Sequence, residues 1–535
     1  MEQTDEQQRP ALPALLDEAR HALGAGAPAD ARVLAERALA IAPHSLDARL
    51  IANQAAFLAG DHTGALRHAE AGEVLHPGYP DFPLRRARAL LMGNHVAQAR
   101  AALDVAETNT APDTPASVWG MIGDAHTLLN QFERAQSAYT CAIARDPEAA
   151  LHWFNRGVVS RYLGHTAEAA RDFESAVALD PDYAEAWLNL VQTARQTPAD
   201  NPIASLAAML ERLPAHAQRQ RLQGHYALAK CYEDLGEGLT SFAHLDAGAR
   251  LMRAGLQYDL RADQAAIALI QARFPAPDPR PRAAGFEGVR PIFVLGLPRS
   301  GSTVIERILT SHSAVDTIGE SPAFGQALAD MAREAGVDPA DPGALIRAMP
   351  MLDPAAIGRR YAALTAPWRG SEALFVDKLP TNHLYIGLIA QALPQAKIVH
   401  TVRHPLANLY GIYKTLFNRA YPWSYNLDEL VGYYAAYRDL MAHWRRRLGP
   451  RLIEVSYETM VERPEPVIRQ LVADCGLDWQ PACLAFHANR RPSTTQSAVQ
   501  VRAALNRDGI ERWRRFEPLL APLRRRIEAI GVDCG

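Results

Sequence analysis

The sequence predicts two architectures in one chain: a helical solenoid first, then a P-loop-like α/β domain with a mostly parallel sheet. Three observations predict this. Large aromatic residues and prolines recur at a fixed interval over about the first 200 residues, as helical repeats do. A proline-rich stretch, Phe274-Pro-Ala-Pro-Asp-Pro-Arg-Pro-Arg282, then breaks the texture of the chain. Beyond it, short apolar runs alternate with helical patterns, starting with the run Pro291–Leu295, a glycine turn and a helix start.

The repeat has a period of 34. Trp119, Trp153 and Trp187 are spaced by it, as are Pro43 and Pro77, and Pro147 and Pro181. Pro112 lies between at steps of 35, which implies a small insertion near Thr108–Pro115, and Pro10 falls 33 before Pro43. The clearest copy runs Trp153, Gly157, Tyr162, Gly164, Ala169, Phe173, Ala176, Pro181. In that pattern each large residue packs on the neighbouring helix, each small one lets two helices approach, and the proline ends the second helix. Period and pattern are the tetratricopeptide signature. They predict about five helix pairs over 10–181 and a sixth first helix at 182–197. The repeat domain is drawn at 10–198. A helical connector follows at 199–275, in which Tyr226, Tyr232, Gly236 and Phe242 read as a degenerate repeat. The α/β domain is drawn at 285–535.

Within that domain, strands are expected at 291–295, 373–376, 397–402 and 451–455, and helices near 302–312, 383–393, 405–418 and 427–447. In such sheets ligands bind beyond the carboxyl ends of the strands, where Gly296-Leu297-Pro298-Arg299-Ser300-Gly301-Ser302-Thr303 falls. Strand, glycine turn and helix N-terminus make an anion cradle, because backbone N–H groups converge and the helix dipole adds positive charge. The two glycines have the spacing of a nucleotide-binding loop, but Ser302 stands where the lysine of that loop belongs. A kinase-type loop is therefore set aside, and Arg299 points to a smaller anionic group. The plain alternative is a strand–turn–helix corner with no ligand.

Composition narrows the function classes. Net charge is −3 and 48% of residues are hydrophobic, which argues against nucleic acid as a partner and allows full cores. The basic segments Arg512-Trp-Arg-Arg-Phe516 and Arg524–Arg526 offer a nucleic-acid patch as one reading, but Glu511, Glu517 and Glu528 are interleaved, so a solvated helix face plus one cofactor contact is expected. Five scattered cysteines form no C-x-x-C pair, so neither a disulfide framework nor a zinc site is expected. No apolar run reaches membrane-spanning length and the N-terminus is polar, so a soluble, cytoplasmic protein is expected.

Three further segments stand at strand ends: Val376-Asp377-Lys378-Leu379-Pro380, Val402-Arg403-His404-Pro405 and Glu454-Val455-Ser456-Tyr457-Glu458. With the glycine loop they make the chain resemble sulfotransferases that use 3′-phosphoadenosine 5′-phosphosulfate (PAPS). Specifically, it resembles the bacterial class with tetratricopeptide repeats ahead of the transferase domain, whose catalytic half is similar to tyrosylprotein sulfotransferases. The resemblance implies that Arg299, Ser300, Gly301, Ser302 and Thr303 hold the 5′-phosphosulfate and that Arg403 grips the 3′-phosphate. It implies that Tyr457 lies near the cofactor, and that Ser497, Arg502 and Arg512 belong to a segment closing over it. Lys378 matches the lysine that stabilises the leaving oxygen, and Glu320, in Ile318-Gly319-Glu320, matches the carboxylate that acts as general base. No metal is implied. The acceptor is a hydroxyl, with a protein or peptide tyrosine the first choice, and the repeats are expected to bind a protein or peptide.

Two departures stand out. The family serine eight residues after Arg403 is Gly411 here, and a common aspartate is Ala407; Tyr410, Tyr413 and Lys414 are the nearby candidates to compensate. These departures favour an alternative, a catalytically impaired scaffold that binds peptides through its repeats. His383 and His404 are alternative bases, while His312 and His400 read as local hydrogen-bonding residues. The plainer readings are a helix cap for Glu320, a surface lysine for Lys378 and a helix cap or ion pair for Arg403.

Overall fold

The computed structural model describes residues 11–276, 285–370, 374–495 and 500–534. Packing divides the chain into two compact units that part between Ser160 and Arg161.

The first unit is built of antiparallel helix pairs: Ala11–Gly24 with Pro28–Ile41, Leu46–Leu58 with His62–Leu75, Asp81–Met92 with Val96–Thr108, and Ala116–Leu128 with Phe132–Arg145. A fifth pair, Ala150–Leu163 and Thr166–Leu179, begins in this unit, and a sixth first helix follows at Ala184–Thr193. The expected count and period are both present. Each turn inside a pair contains one residue with left-handed φ: Gly26, Gly60, Asn94, Asn130 and Gly164. Only the step from Asn94 to Asn130 exceeds 34, and the stretch between Thr108 and Ala116 holds the extra residues. Small residues face large ones across the pairs. A Cβ on Gly72 would run into the Phe82 ring, and one on Gly123 would lie 2.6 Å from the Tyr139 ring. The signature tryptophan has a local partner as well. The indole N–H of Trp153 donates to the Pro147 carbonyl at 2.9 Å, and that of Trp187 to the Pro181 carbonyl at 3.0 Å.

The second unit continues with Ile203–Arg212, a long hairpin, Gln218–Leu235 and Gly238–Ala254, turned at the left-handed Gly236, and Leu260–Arg273. Five parallel strands follow among the described residues: β1 (Arg290–Leu295), β2 (Asp316–Thr317), β3 (Leu374–Lys378), β4 (Lys397–Val402) and β5 (Leu452–Ser456), in the order β2-β3-β1-β4-β5. Alternate residues of β1 enter different cores. Ile292 and Val294 pack with Ile305, Ile308 and Val455 on one face; Phe293 and Leu295 pack with Phe324, Tyr361 and Trp444 on the other. The connector helices share this second core through Tyr226, Leu245, Ile267 and Phe274.

Some elements differ from expectation. The segment expected as helix 383–393 is a 3₁₀ turn, Pro380–Leu384, followed by Ile386–Ala392. The helix expected to reach 418 ends at Tyr413, because the Tyr425 hydroxyl accepts the Phe417 N–H at 2.9 Å and donates to the Asn418 carbonyl at 2.8 Å. Those side-chain bonds replace helical ones. Helices Ala323–Glu334, Pro342–Ala348 and Pro354–Thr365 fill the stretch between β2 and β3.

Candidate functional site

β1 delivers the chain into the glycine loop at the carboxyl edge of the sheet. Gly296 has φ +144°, and a Cβ there would lie 2.6 Å from the Thr401 hydroxyl and 2.7 Å from its carbonyl. Gly301 has φ +106°, and a Cβ there would lie 2.5 Å from the Tyr457 ring. Glycine is thus required at both positions by space and by backbone. Between them Arg299 is itself left-handed, at φ +65°, a conformation that costs a non-glycine residue about 1 kcal/mol or more. The Ser302–Thr310 helix starts directly from Gly301 with no side-chain cap, so its first N–H groups face the loop without a side-chain acceptor. Ser302 and Thr303 are buried at this start. The Ser300 hydroxyl is engaged with that of Thr401 at 2.5 Å, and Thr401 in turn donates to the Leu295 carbonyl.

Two guanidinium groups meet over this loop. Arg299 donates to the Gln500 side-chain carbonyl at 2.8 Å. Burial, and then the neighbouring Arg403 charge, bring Arg299 down to about 10, still charged at neutral pH. Arg403 donates to the Arg299 carbonyl at 2.8 Å and to the Gly509 carbonyl, and lies over the Tyr457 ring at 4.7 Å. Burial lowers it too, and its Nε is buried with no hydrogen-bond partner among the described residues. Two half-buried like charges beside open N–H groups suit an oxyanion, which neutralises both.

The second cluster lies one strand over. Lys378 is the last residue of β3 and is in register with Val294 of β1, two residues before Gly296. Its side chain is 1% exposed and its ammonium pairs with Glu320, whose side chain is 43% exposed. Glu306, on the cradle helix and 12% exposed, approaches the same Nζ at 3.9 Å. Beneath them Asp377 is fully buried, accepting from Tyr361 at 2.8 Å and from Asn382 at 3.1 Å. Burial pushes its carboxyl up to about 7.

Residues 291–481, which carry the glycine loop, Glu320, Lys378 and Arg403, match the family model described as Sulfotransferase family; residues 121–161 and 153–183 match tetratricopeptide repeat models. The chain carries a sulfotransferase-family domain behind tetratricopeptide repeats. A curated protein of Aquifex aeolicus (strain VF5), described as uncharacterized, is 30% identical over 370 residues, 68% of this chain and 48% of its own length. The chain thus spans about half the length of that relative. A solved structure of the sulfotransferase domain from the curacin biosynthetic pathway is similar over 47% of this chain and 100% of its own, with 19% identity and a TM-score of 0.33. The tetratricopeptide protein YrrB, described as having an unusual peptide-binding site, is similar over 39% of this chain and 96% of its own, with 13% identity and a TM-score of 0.26.

Other expected residues of the sulfotransferase domain fall as follows. Tyr457 opens the helix Tyr457–Glu462 and forms the wall shared by Gly301 and Arg403. Arg502 donates to the Tyr162 carbonyl at 2.9 Å and packs over Gly164, rather than over the loop; the residue of its turn that reaches Arg299 is Gln500. Ser497 and the Arg512 side chain lie outside the described residues. Gly411 faces Arg299, where a Cβ would sit 3.4 Å from the Arg299 Cβ. Lys414 pairs with the buried Glu233 at 2.7 Å, and Tyr410 and Tyr413 stack on Phe242, so the connector helices line this side.

The histidines are engaged elsewhere. His383 donates from Nδ1 to the Pro380 carbonyl and accepts from the Tyr433 hydroxyl, and burial brings it down to about 4, so it is a neutral core residue. His404 accepts the Ala407 N–H, donates to the Cys534 carbonyl and stacks on Trp513. His400 lies between Glu454 and Tyr437, and His312 is bonded to the Asp478 carbonyl.

Sequence reasoning missed Glu306, Gln500, Glu233 and Asp377. Glu306 had one available signal, a carboxylate one turn inside the helix that opens at Ser302. Gln500 and Glu233 carry no motif. Among the described residues there is no cluster of three or more potential metal ligands, and no helix long and apolar enough to cross a membrane.

Proposed function

We propose that this protein transfers a sulfuryl group from PAPS to a hydroxyl acceptor, with a tyrosine of a protein or peptide as the acceptor class. The observation that carries the reading is the pairing of a buried lysine with an accessible carboxylate, Lys378 with Glu320, beside a capless helix start flanked by Arg299 and Arg403. The residues fit the donor. Arg299, Ser302, Thr303 and the N–H groups after Gly301 would hold the phosphosulfate, with Arg403 on the 3′-phosphate and Tyr457 against the nucleotide. When bound, PAPS supplies an activated sulfuryl group.

The chain's own residues do the rest. A Glu320 carboxylate oxygen accepts the proton of the acceptor hydroxyl. The Lys378 ammonium turns its donors toward the oxygen that gains charge, and the helix start and Arg299 stabilise charge on the transferred group. The repeats present a surface for the acceptor protein or for a separate partner. The free cysteines among the described residues suit a reducing, cytoplasmic compartment.

A second reading, an impaired scaffold, is favoured by one observation: the position facing Arg299 is Gly411, which brings no hydroxyl. One experiment separates the two. Calorimetric titration of the full chain with 3′-phosphoadenosine 5′-phosphate (PAP) is expected to give micromolar binding that Arg299→Ala and Arg403→Ala both abolish. Absence of binding at millimolar PAP sinks the transferase reading and leaves the scaffold. Transfer of labelled sulfate to a tyrosine peptide, against a saccharide, then tests the acceptor class.

A further inference from the structure

Lys378 has two carboxylates within reach, and their settings differ. Glu320 follows the left-handed Gly319 in a loop and is open to solvent. Glu306 is nearly buried on the Ser302–Thr310 helix and tied at its other oxygen, where Oε1 accepts from the Thr317 hydroxyl of β2 at 2.8 Å. One carboxylate is open to a bound molecule; the other is anchored from two elements.

This difference has a chemical consequence that rests on the sulfuryl-transfer reading. In that reaction the acceptor O–H bond breaks and its proton goes to Glu320. The acceptor oxygen bonds to sulfur, and the bond from sulfur to the phosphate oxygen breaks with its electron pair left on that oxygen. Glu320 thereby becomes neutral while Lys378 must remain a located cation. A buried ammonium stripped of its counter-charge is strongly disfavoured.

We propose that Glu306 is a positioning residue, the lasting counter-charge that holds Lys378 while Glu320 takes up the acceptor proton. It also keeps the ammonium near the cradle helix when the bond to Glu320 is given up. The choice of lysine fits the role. The chain has only four lysines, Lys230, Lys378, Lys397 and Lys414, among 56 Lys and Arg residues. Where nearly every cation is a planar guanidinium, position 378 retains a compact ammonium with three rotatable donors.

The same scarcity supplies the test. Full-length protein labelled with ¹³C and ¹⁵N in lysine gives four side-chain signals, and Lys378→Arg assigns the one that matters. In the wild type the Lys378 Cε signal is expected as a single line displaced from free lysine, moving again when PAP is added. In Glu306→Gln, where the pair with Glu320 remains, the line is expected to move from its wild-type position. In the same variant kcat should fall roughly tenfold or more, with the acceptor KM within about threefold. Glu306→Asp should recover part of both. Thr317→Val, which leaves the carboxylate but removes its anchor, should move the signal the same way by less, and serves if Glu306→Gln does not fold. A Lys378 line in Glu306→Gln or Thr317→Val that superposes on the wild type overturns the proposal, as does an unchanged kcat. A wild type that binds PAP beside an unmoved Lys378 line sinks the role of Glu306 alone. A wild type that binds no PAP in the calorimeter sinks the transfer reading and this role with it.

Discussion

Gly123 in the repeats and Gly301 in the sulfotransferase domain look alike at first. An added Cβ would come within 2.6 Å of the Tyr139 ring at one and 2.5 Å of the Tyr457 ring at the other. Gly123, however, lies in ordinary helix, whereas Gly301 has φ +106° and precedes a helix start left without a side-chain cap. In the repeats the small residue answers to packing only, and the same small-against-large contact recurs at Gly72 and Phe82. In the glycine loop, packing, backbone conformation and open N–H groups all depend on one residue, and no second copy shares the load. Damage to the repeats should therefore appear as lost stability, and damage to the loop as lost binding.

The largest expected effect is at the loop. Arg299→Ala should weaken PAP binding by roughly 100-fold or more, through lost charged hydrogen bonds, with the thermal midpoint nearly unchanged. Retained affinity in the calorimeter would reduce the loop to a structural corner. Next, Glu320→Gln should lower kcat by roughly 10²-fold while the PAP Kd stays within about twofold; wild-type turnover would break the base assignment. Gly123→Ala, the counterpart in the repeats, should cost about 1–3 kcal/mol from overpacking on Tyr139 and leave PAP affinity intact. A loss of affinity there would break the contrast between the two regions.

Two smaller effects sharpen it. Asp377 is raised by burial to about 7 from an ordinary 3.8, so the folded state holds its proton more tightly than the unfolded chain. Its contribution is complete below about pH 4 and lost as pH rises toward 7. The thermal midpoint of Asp377→Asn, measured against the wild type, should therefore climb from pH 4 to pH 7, by about 3 °C or more. A constant difference would mean that Asp377 does not titrate in that window. His383 acts in the opposite direction, costing stability as pH falls from 6.5 toward 4, so the difference between variant and wild type is the quantity to follow. Last, Gly411→Ser has 3.4 Å of clearance from Arg299 and should raise PAP affinity by up to about tenfold. No gain would show that the missing hydroxyl does not limit binding.

Much of the fold was legible. The 34-residue period requires helix pairs because each pair can bury its apolar face only against the next. The four strands expected are all present, because strands of a parallel sheet are largely buried on both faces and so begin or centre on short apolar runs, even where Asp377, His400 or Glu454 interrupts them. β2 escaped because its two residues, Asp316 and Thr317, offer no such run. The end of the Pro405–Tyr413 helix escaped because the Tyr425 hydroxyl, from a later turn, takes over the backbone groups of Phe417 and Asn418. At the candidate site, the glycine loop, Arg403 and Lys378 stood out as short motifs at strand ends, and Glu320 through its match to the family carboxylate. Gln500 and Glu233 did not, since each reaches Arg299 or its surroundings from far along the chain.

The sequence by itself determined which local conformations are affordable: repeats where small and large residues alternate at 34, strands where apolar runs are short, a turn where only glycine tolerates the backbone. Only the tertiary structure decided what each charged group faces. Parallel strand order brings Lys378 beside the loop that follows β1, one helix turns Glu306 toward it and a separate loop supplies Glu320. The physical reason is one of range. Backbone preference is set by immediate neighbours, whereas the environment of a charge is set by every element that folds against it.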